Sequence, residues 1–288
     1  MLDGMSKFKV EDALKLRAGK NFQIDAVDAS TTPGFDGSKS DLEEQFVRFD
    51  EELYELQERL YANGRAYGEK APSVLVILQG MDTSGKGGAI RHVFNTFDPQ
   101  GTDTVGFGKP TEEEMQHDFL WRIRKYDPKP GQVVAFDRSH YEDVLIQRVH
   151  HWVDEAEIDR RFEAIRDYEA ELAQSGVHII KVFLHLSKDA QKENLLERTV
   201  NPEKFWKYDP SDVDERGYWD DYMAAYQDAI QRTDEDYAPW YVIPTDTKKY
   251  ARMALKYLIV DLLRHLDLEW PAAEFDPEVE RQRVEDAD

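Results

Sequence analysis

Two adjoining stretches, Ser73-Val-Leu-Val-Ile-Leu78 and Gly80-Met-Asp-Thr-Ser-Gly-Lys-Gly87, decide the fold of this 288-residue chain. The first is a continuous apolar run rich in β-branched residues, which predicts a strand buried on both faces of a parallel sheet. The second is rich in glycine and leads directly into a helical pattern over 88–97. A strand, a loop with the spacing G-x-x-x-x-G-K and a helix, in this order, predict a phosphate-binding loop.

The chemistry of such a loop depends on its backbone. Glycines let successive N–H groups turn toward phosphate oxygens, and the N-terminus of the following helix adds a partial positive charge. Lys86 would supply a point charge for the terminal phosphates. A glycine-rich turn with an ordinary lysine is the alternative, but strand, loop and helix are all in register. The residues expected to bind phosphate are Gly80, Thr83, Ser84, Gly85, Lys86, Gly87 and Gly88.

Two carboxylates predict a magnesium site beside this loop. Gly87 stands where a phosphate loop usually has the hydroxyl that binds Mg²⁺, so another group must bind the metal. Asp82 lies inside the loop, where a carboxylate would repel phosphate unless a cation lay between them. Asp137 follows the predicted strand 132–136, and parallel strands present ligands at one common edge. We therefore expect Asp82 and Asp137 to share Mg²⁺ with phosphate oxygens, although a strand-end turn would also explain Asp137.

Basic residues are concentrated in the central third of the chain. Arg138 follows Asp137 directly and could clamp a phosphoryl group during its transfer. Arg122 and Lys125 recur at near-helical intervals, which predicts a basic ridge. Such a ridge could form a channel for a polyanion in a protein that is acidic as a whole. Taken singly, each residue could instead be a surface ion-pair partner. The residues assigned to the channel are Lys86, Arg91, Lys109, Arg122 and Lys125.

The rest of the chain alternates strand and helix patterns, which predicts an α/β fold. Apolar runs predict strands at 132–136, 177–184, 240–243 and, more weakly, 104–107. Helical periodicity covers 41–64, 112–126, 155–175, 188–199 and 247–267. We expect an N-terminal arm over 1–40, one domain over 41–268, and an acidic, solvated C-terminal tail over 269–288. The aromatic and charged segment at about 200–237 would form a lid.

Composition limits the possible partners and location. With 37 Lys and Arg against 59 Asp and Glu, the net charge is −22, which argues against a general nucleic-acid surface. No stretch approaches the length of a membrane span, and the N-terminus lacks the apolar block of a secretory signal. The absence of cysteine excludes disulfides and fits a reducing compartment. We expect a cytoplasmic protein with no membrane or nucleic-acid partner.

Four motifs in this order resemble the polyphosphate kinase 2 family. They are Gly80-Met-Asp-Thr-Ser-Gly-Lys-Gly-Gly88, His117-Asp-Phe-Leu-Trp-Arg122, Phe136-Asp-Arg-Ser-His-Tyr-Glu-Asp143 and Glu197-Arg-Thr with Pro202-Glu-Lys-Phe-Trp-Lys207. The resemblance spans roughly 40–268 and implies a three-layer α/β/α P-loop kinase fold with a helical lid. It also implies phosphoryl transfer between inorganic polyphosphate and a nucleotide with Mg²⁺. Family members often associate, which implies a homo-oligomer, either a dimer or a tetramer.

The resemblance also implies roles for individual residues. Asp82 would orient and activate the acceptor phosphate with Mg²⁺, Lys86 would bind the transferring phosphate, and Asp137 would share the metal. Arg138 would stabilise the charge of the transition state. The remaining roles concern substrate binding: Arg91, Arg122 and Lys125 would contact polyphosphate, and Arg198, Lys204 and Lys207 would act from the lid.

Two local features qualify the resemblance. The segment Gly106-Phe-Gly-Lys-Pro110 differs from the family pattern because its lysine, Lys109, is displaced by one position. The segment Ser139-His-Tyr-Glu-Asp-Val-Leu145 looks like the subgroup that acts on both nucleoside mono- and diphosphates, such as AMP, ADP, GMP and GDP. His140 and Tyr141 could equally be packing residues behind Arg138.

Two other functions share some of these features. A nucleoside monophosphate kinase that uses ATP as donor would have the loop, the lid and magnesium, but it would not need the basic ridge. A regulator that binds nucleotide or polyphosphate without catalysis would bind its ligand but show no turnover. The complete set of Asp82, Lys86 and Asp137 favours an enzyme.

Overall fold

The computed structural model of the chain describes residues 8–287, which form five strands and twelve α-helices. The first half contains α1 (Val10–Leu14), α2 (Lys39–Val47), α3 (Asp50–Tyr67), β1 (Ser73–Gln79), α4 (Lys86–Val93), β2 (Thr102–Gly106), α5 (Leu120–Arg124), β3 (Val133–Asp137) and α6 (Ile146–Val149). The second half contains α7 (Glu155–Gln174), β4 (Val177–His185), α8 (Lys188–Val200), α9 (Ser211–Glu215), α10 (Trp219–Thr233), β5 (Trp240–Pro244), α11 (Lys248–His265) and α12 (Pro277–Glu285).

All five strands run parallel in one sheet with the order β2-β3-β1-β4-β5. All seven residues of β1 are buried, as expected for a central strand covered on both faces. The register pairs Leu78 with Asp137, so the carboxyl ends of β1 and β3 lie side by side. This register brings the glycine-rich loop after β1 next to the residues that follow β3.

Helices cover both faces of the sheet, which gives the three-layer α/β/α fold that the sequence predicts. On one face, α7 and α10 bury apolar residues such as Phe162 and Ile230 against the sheet. On the other face, α3, α4 and α11 contribute residues such as Leu53, Val93 and Tyr257. No helix in the span 8–287 is both long enough and apolar enough to cross a membrane.

The helical patterns over 41–64 and 112–126 are interrupted in the structure. The first is divided at Phe49, whose φ of −110° and ψ of 16° are not helical and whose ring is buried 4.8 Å from that of Tyr257. In the second, only Glu114–Gln116 and α5 are helical. His117 is extended there, and the Asp118 side chain accepts a hydrogen bond from the Leu120 N–H at 3.1 Å. This contact forms a turn just before α5, so the helix predicted over 112–126 is not continuous.

The N-terminal segment lies along the outer edge of β5 and contributes to the core. Ala18 N–H donates to Trp240 O and Val242 N–H donates to Leu16 O, both at 2.9 Å. Phe8 and Phe35 of this segment are buried. At the other end of the chain, α12 has no buried residue. The sequence predicts a solvated tail there, and the structure adds a short exposed helix.

Candidate active site

A cavity of about 800 Å³ lies at the carboxyl ends of the strands, above the glycine-rich loop. Eight cationic side chains and five carboxylates line it, although the chain as a whole carries a charge of −22. The cations are Lys86, Arg91, Arg138, Arg198, Lys204, Lys207, Lys248 and Arg252. The carboxylates are Asp82, Asp137, Glu197, Asp209 and Asp212. The local excess of positive charge suits a ligand with several phosphate groups.

The glycine-rich loop requires glycine at two positions. Gly85 has φ +102° and stands at the N-terminus of α4, where the backbone turns its N–H groups inward. A Cβ atom on Gly80 would lie 2.7 Å from Ser84 Oγ and 2.8 Å from the Leu184 carbonyl oxygen. The loop is also fixed from the residue that follows β5, because Thr245 Oγ1 donates to Ser84 O at 3.0 Å. The loop therefore has the preorganised shape of a phosphate cradle.

Lys86 is buried and its ammonium group points back into this loop. Its Nζ donates to Gly80 O at 2.6 Å and to Met81 O at 3.3 Å. Burial, followed by the charge of Arg138, lowers the pKa of Lys86. Both effects disfavour an uncompensated ammonium ion, so an anionic ligand in the cavity would stabilise its charged form.

Asp82 and Arg138 form an ion pair, with Arg138 Nη2 2.8 Å from Asp82 Oδ1. Arg138 adopts a left-handed φ of +66° directly after β3, and its N–H donates to Leu78 O at 3.0 Å. Although burial opposes its charge, the carboxylates of Glu142 and Asp82 raise the pKa of Arg138. Arg138 thus supplies a positive charge beside Asp82, so neutralisation of this carboxylate does not by itself require a metal, and the metal role of Asp82 stays a prediction.

The oxygen atoms around the loop nevertheless suit a divalent metal ion. Asp82 and Asp137 both line the cavity, and Asp137 Oδ2 lies 3.4 Å from the position of a Cβ atom on Gly87. The buried hydroxyls of Thr83 and Ser84 have no hydrogen-bond partner. Carboxylates and hydroxyls are hard donors of the kind that Mg²⁺ accepts. In the described span, no group of three or more His, Asp or Glu residues could bind a metal, so phosphate oxygens and water would have to complete the coordination.

The residues assigned to a basic ridge are separated by the fold. Arg91 lines the cavity, but Lys109, Arg122 and Lys125 do not. Arg122 is buried and donates from Nη1 to Gly108 O at 2.9 Å, so it supports a segment that lines the cavity. Lys125 Nζ lies 3.2 Å from the ring centroid of Trp121, and Lys109 is exposed. The ridge therefore does not form the wall of this cavity.

Only part of the segment 200–237, which the sequence predicts to form a lid, lines the cavity. A 3₁₀ helix over Pro202–Lys207 and the segment up to Asp212 line the cavity, whereas α10 is packed into the core. Lys204 and Lys207 of this segment reach the cavity, and so does Arg198, which lies near the end of α8 just before it. The indole of Trp206, 78% exposed, lines it as well.

Several cavity residues escaped sequence reasoning. Lys248 and Arg252 lie one helical turn apart on α11. Lys248 Nζ donates to Asn194 Oδ1 at 2.6 Å, and Arg252 Nη2 lies 3.1 Å from the position of a Cβ atom on Gly88. The sequence could have predicted these two residues, because the helical pattern of α11 begins just after the carboxyl end of β5, and ligands of parallel sheets bind at that edge. Glu142 was also not singled out; it does not line the cavity, and burial raises its pKa while the charges of Arg138 and Lys86 oppose that rise.

His140 and Tyr141 are buried behind Arg138 in a polar network and do not line the cavity. Tyr141 Oη donates to Glu169 Oε1 at 2.8 Å, and Lys181 Nζ lies 2.5 Å from Glu169 Oε2. Neither Glu169 nor Lys181 was singled out from the sequence. Their network joins α7 and β4 to the segment that follows Asp137.

A parallel α/β/α sheet with a glycine-rich loop and a cationic cavity at its carboxyl edge defines a P-loop protein that binds phosphate-rich ligands. Within that class, the chain belongs to the polyphosphate kinase 2 (PPK2) family, whose family model matches residues 36–270.

Individual relatives agree with this assignment. An AMP/ADP-polyphosphate phosphotransferase of Meiothermus ruber is 42% identical over 253 residues, which cover 88% of this chain and 92% of the relative. An ADP-polyphosphate phosphotransferase of Rhodopseudomonas palustris is 40% identical over 233 residues, which cover 77% of this chain and 78% of the relative. The crystal structure of polyphosphate kinase 2 from Arthrobacter aurescens TC1 superimposes with a TM-score of 0.93 at 46% identity, with 99% of each chain covered.

Proposed function

We propose that the protein transfers a phosphoryl group between inorganic polyphosphate and nucleoside mono- or diphosphates. The observation that carries this proposal is the cavity over the phosphate loop, where eight cationic side chains outnumber five carboxylates in a strongly acidic chain. A chain of phosphates needs more positive charge than a single nucleotide does. The names of the relatives from Meiothermus ruber and Rhodopseudomonas palustris support AMP and ADP as acceptors, and GMP and GDP extend the proposal.

The transfer breaks the bond between the terminal phosphorus of polyphosphate and its bridging oxygen, and this oxygen leaves with the electron pair as the new end of the shortened polyphosphate chain. A new bond then forms from that phosphorus to a terminal phosphate oxygen of the nucleotide. Such a step needs an in-line arrangement and charge compensation, with little covalent help from the protein. Lys86 would move from its carbonyl partners to the transferring phosphate, and Arg138 would stabilise charge on the same group. Transfer is direct, and no phosphohistidine is required.

Magnesium would be held by Asp82 and Asp137. When bound, Mg²⁺ would neutralise charge on the phosphate oxygens and help to align the two substrates. Asp82 would exchange part of its contact with Arg138 for the metal, which would release the guanidinium group to bind phosphate. Arg91, Lys248 and Arg252 would contact polyphosphate, while Arg198, Lys204 and Lys207 would bind nucleotide phosphate from the lid.

An ATP-dependent nucleoside monophosphate kinase remains the second candidate because it would share the loop, the lid and the metal. The cations on α4 and α11 favour polyphosphate, since they extend the positive charge beyond the loop and the lid. A regulator without catalysis is disfavoured because Asp82, Lys86, Asp137 and Arg138 all meet at one cavity. The cytoplasmic location and the homo-oligomeric state stay predictions.

The test is incubation of the purified protein with polyphosphate, Mg²⁺ and each of AMP, ADP, GMP and GDP, with no ATP supplied as donor. We expect nucleoside di- or triphosphate products, quantified by ion-exchange chromatography. Lys86→Met should abolish product formation, whereas Lys109→Met, an exposed lysine outside the cavity, serves as the matched control. No product with any acceptor, together with phosphorylation of AMP by added ATP, would favour the monophosphate kinase.

A further inference from the structure

Two of the three lid cations are already paired with carboxylates that line the same cavity. Arg198 Nη1 lies 2.9 Å from Asp212 Oδ2, and the same nitrogen donates to Lys207 O at 2.9 Å. Lys204 Nζ lies 2.5 Å from Glu197 Oε1. The groups assigned to phosphate are therefore held by internal anions in this conformation.

The pair formed by Arg198 and Asp212 is the more shielded of the two. The Arg198 side chain is 22% exposed and that of Asp212 is 13% exposed, whereas the Glu197 side chain is 50% exposed. Shielding makes the charge of Asp212 count for more than it would on an open surface. The Asp212 carboxylate thus competes directly with any phosphate that approaches Arg198.

The surroundings of Asp212 disfavour the negative charge of its carboxylate. Burial and the nearby carboxylates of Asp82 and Asp209 raise the pKa of Asp212 to about 6, while Arg198 and Arg138 oppose that rise. Only a few favourable charges compensate for its desolvation. A carboxylate held under these conditions is readily exchanged for a more highly charged anion at the same guanidinium group.

We propose that Asp212 holds the guanidinium group of Arg198 until a phosphate of the nucleotide replaces it, so that this carboxylate sets the affinity for the nucleotide. The proposal rests on the proposed function, since it takes Arg198 as a phosphate ligand. Before binding, Asp212 keeps the arginine in the cavity, and after transfer it recaptures the arginine and favours release of the product. Asp212 is a positioning residue in this scheme because it acts through Arg198.

The test is the steady-state kinetics of Asp212→Asn, measured with ADP varied at saturating polyphosphate and Mg²⁺. The amide keeps the shape of the side chain but removes its charge. We expect KM for ADP to fall about fivefold, with kcat unchanged or reduced by slower release. A loss of packing or of lid structure would instead raise KM. An unchanged or raised KM for ADP, or a fall confined to KM for polyphosphate, would overturn the proposal.

Asp209→Asn is the matched control. Asp209 lines the same cavity, but it accepts hydrogen bonds from Ser211 N and Ser211 Oγ at 2.9 and 2.8 Å and pairs with no cation of the described chain. We expect KM for ADP to change less than twofold. Equal decreases in the two variants would indicate a general charge effect and contradict a specific exchange at Arg198. Asp212→Ala, compared at the same pH, repeats the test should the amide variant unfold.

Arg198→Ala separates failure of this inference from failure of the proposed function. If Arg198 binds the nucleotide, this variant raises KM for ADP, while Asp212→Asn lowers it. A raised KM in Arg198→Ala together with an unchanged KM in Asp212→Asn would refute the exchange and leave the phosphotransferase assignment standing. Absence of polyphosphate-dependent product from the unmodified protein would refute the proposed function itself.

Discussion

The guanidinium group of Arg138 and the carboxylate of Asp82 are joined at 2.8 Å across the carboxyl ends of two adjacent strands. We assign both groups to phosphoryl transfer. In this structure they form an ion pair in which each side chain compensates the charge of the other. The register that pairs Leu78 with Asp137 makes this contact possible. Under the proposed function, the substrate and the metal would therefore have to separate an existing ion pair instead of filling two independent sites.

Replacement of Asp82 tests that shared role. Asp82→Asn should reduce kcat about a hundredfold or more, since the amide cannot bind the metal or neutralise Arg138 as a carboxylate does. The fold should survive, because the side chain lies at a cavity. Initial rates at several Mg²⁺ concentrations measure the effect, with the exposed Asp36→Asn as control. Near-normal turnover in Asp82→Asn would disprove the metal role.

Arg122 should matter for the shape of the cavity wall. Arg122→Ala removes its hydrogen bond to Gly108 O and its contact with the Phe107 ring, 5.6 Å from the guanidinium carbon. We expect a loss of about 1–3 kcal/mol in the free energy of unfolding, together with a raised KM for polyphosphate. Urea denaturation and kinetics measure the two effects. Lys125→Ala should change the free energy of unfolding and KM for polyphosphate little. Effects as large as those of Arg122→Ala would instead support a basic ridge.

The buried ion pair of Lys181 and Glu169 makes a strong prediction about stability. Lys181→Met should lower the free energy of unfolding by about 3–5 kcal/mol, because it leaves Glu169 charged and buried. Burial opposes that charge, and Lys181 together with His140 lowers the pKa of Glu169. Adding Glu169→Gln to Lys181→Met should recover part of the loss in urea denaturation. A double variant as unstable as the sum of both single variants would argue against coupling.

Gly80 should tolerate no side chain. Gly80→Ala would place a methyl group against the Leu184 carbonyl oxygen at φ +152°, so we expect a loss of about 1–3 kcal/mol and little activity. Gly217→Ala provides the control, since nothing lies within 4 Å of a Cβ atom there. Thermal unfolding compares the two variants. A stable and active Gly80→Ala protein would show that the loop can move away from the strand.

Glu157 gives the chain an acid-sensitive contribution to stability. Its hydrogen bonds with Arg160, and then with Arg161, lower the pKa of Glu157 to about 2, against an ordinary value of 4.5. A depressed pKa stabilises the fold above 4.5, and the gain is lost as pH falls toward 2. Glu157→Gln should therefore cost less than about 1 kcal/mol at pH 7 and nothing near pH 2. The free energy of unfolding of the unmodified protein and of Glu157→Gln is measured at several pH values. A difference between the two that does not change with pH would contradict the depressed pKa as its cause.

Local sequence patterns were enough to predict much of the fold. Apolar runs such as 73–78 and 177–184 identified buried strands, because parallel strands covered on both faces carry little else. The break at Phe49 stayed hidden, since this residue continues the helical spacing of apolar side chains while its backbone leaves the helix. The ring of Phe49 packs against Tyr257, more than 200 positions away, and local spacing does not encode such a contact.

The site was less accessible to sequence reasoning. The loop and Asp137 followed from spacing and strand ends, and the register brings them together. The pairing of Arg138 with Asp82 and of Arg198 with Asp212 depends on side-chain direction, which spacing does not encode. Arg122 shows the same limit, because helical periodicity placed it on a basic face that turns inward in the structure. Lys248 and Arg252 come from the last core helix, far from every quoted motif.

The hydrogen bonds that Leu16 and Ala18 make with β5 have a consequence for self-association. An uncovered border strand can recruit a strand from another molecule and so seed aggregates. In this protein the N-terminal segment covers part of the edge strand β5. Since β2 forms the opposite edge of the sheet, copies of this protein that assemble with the segment in place must meet on surfaces other than the covered part of β5.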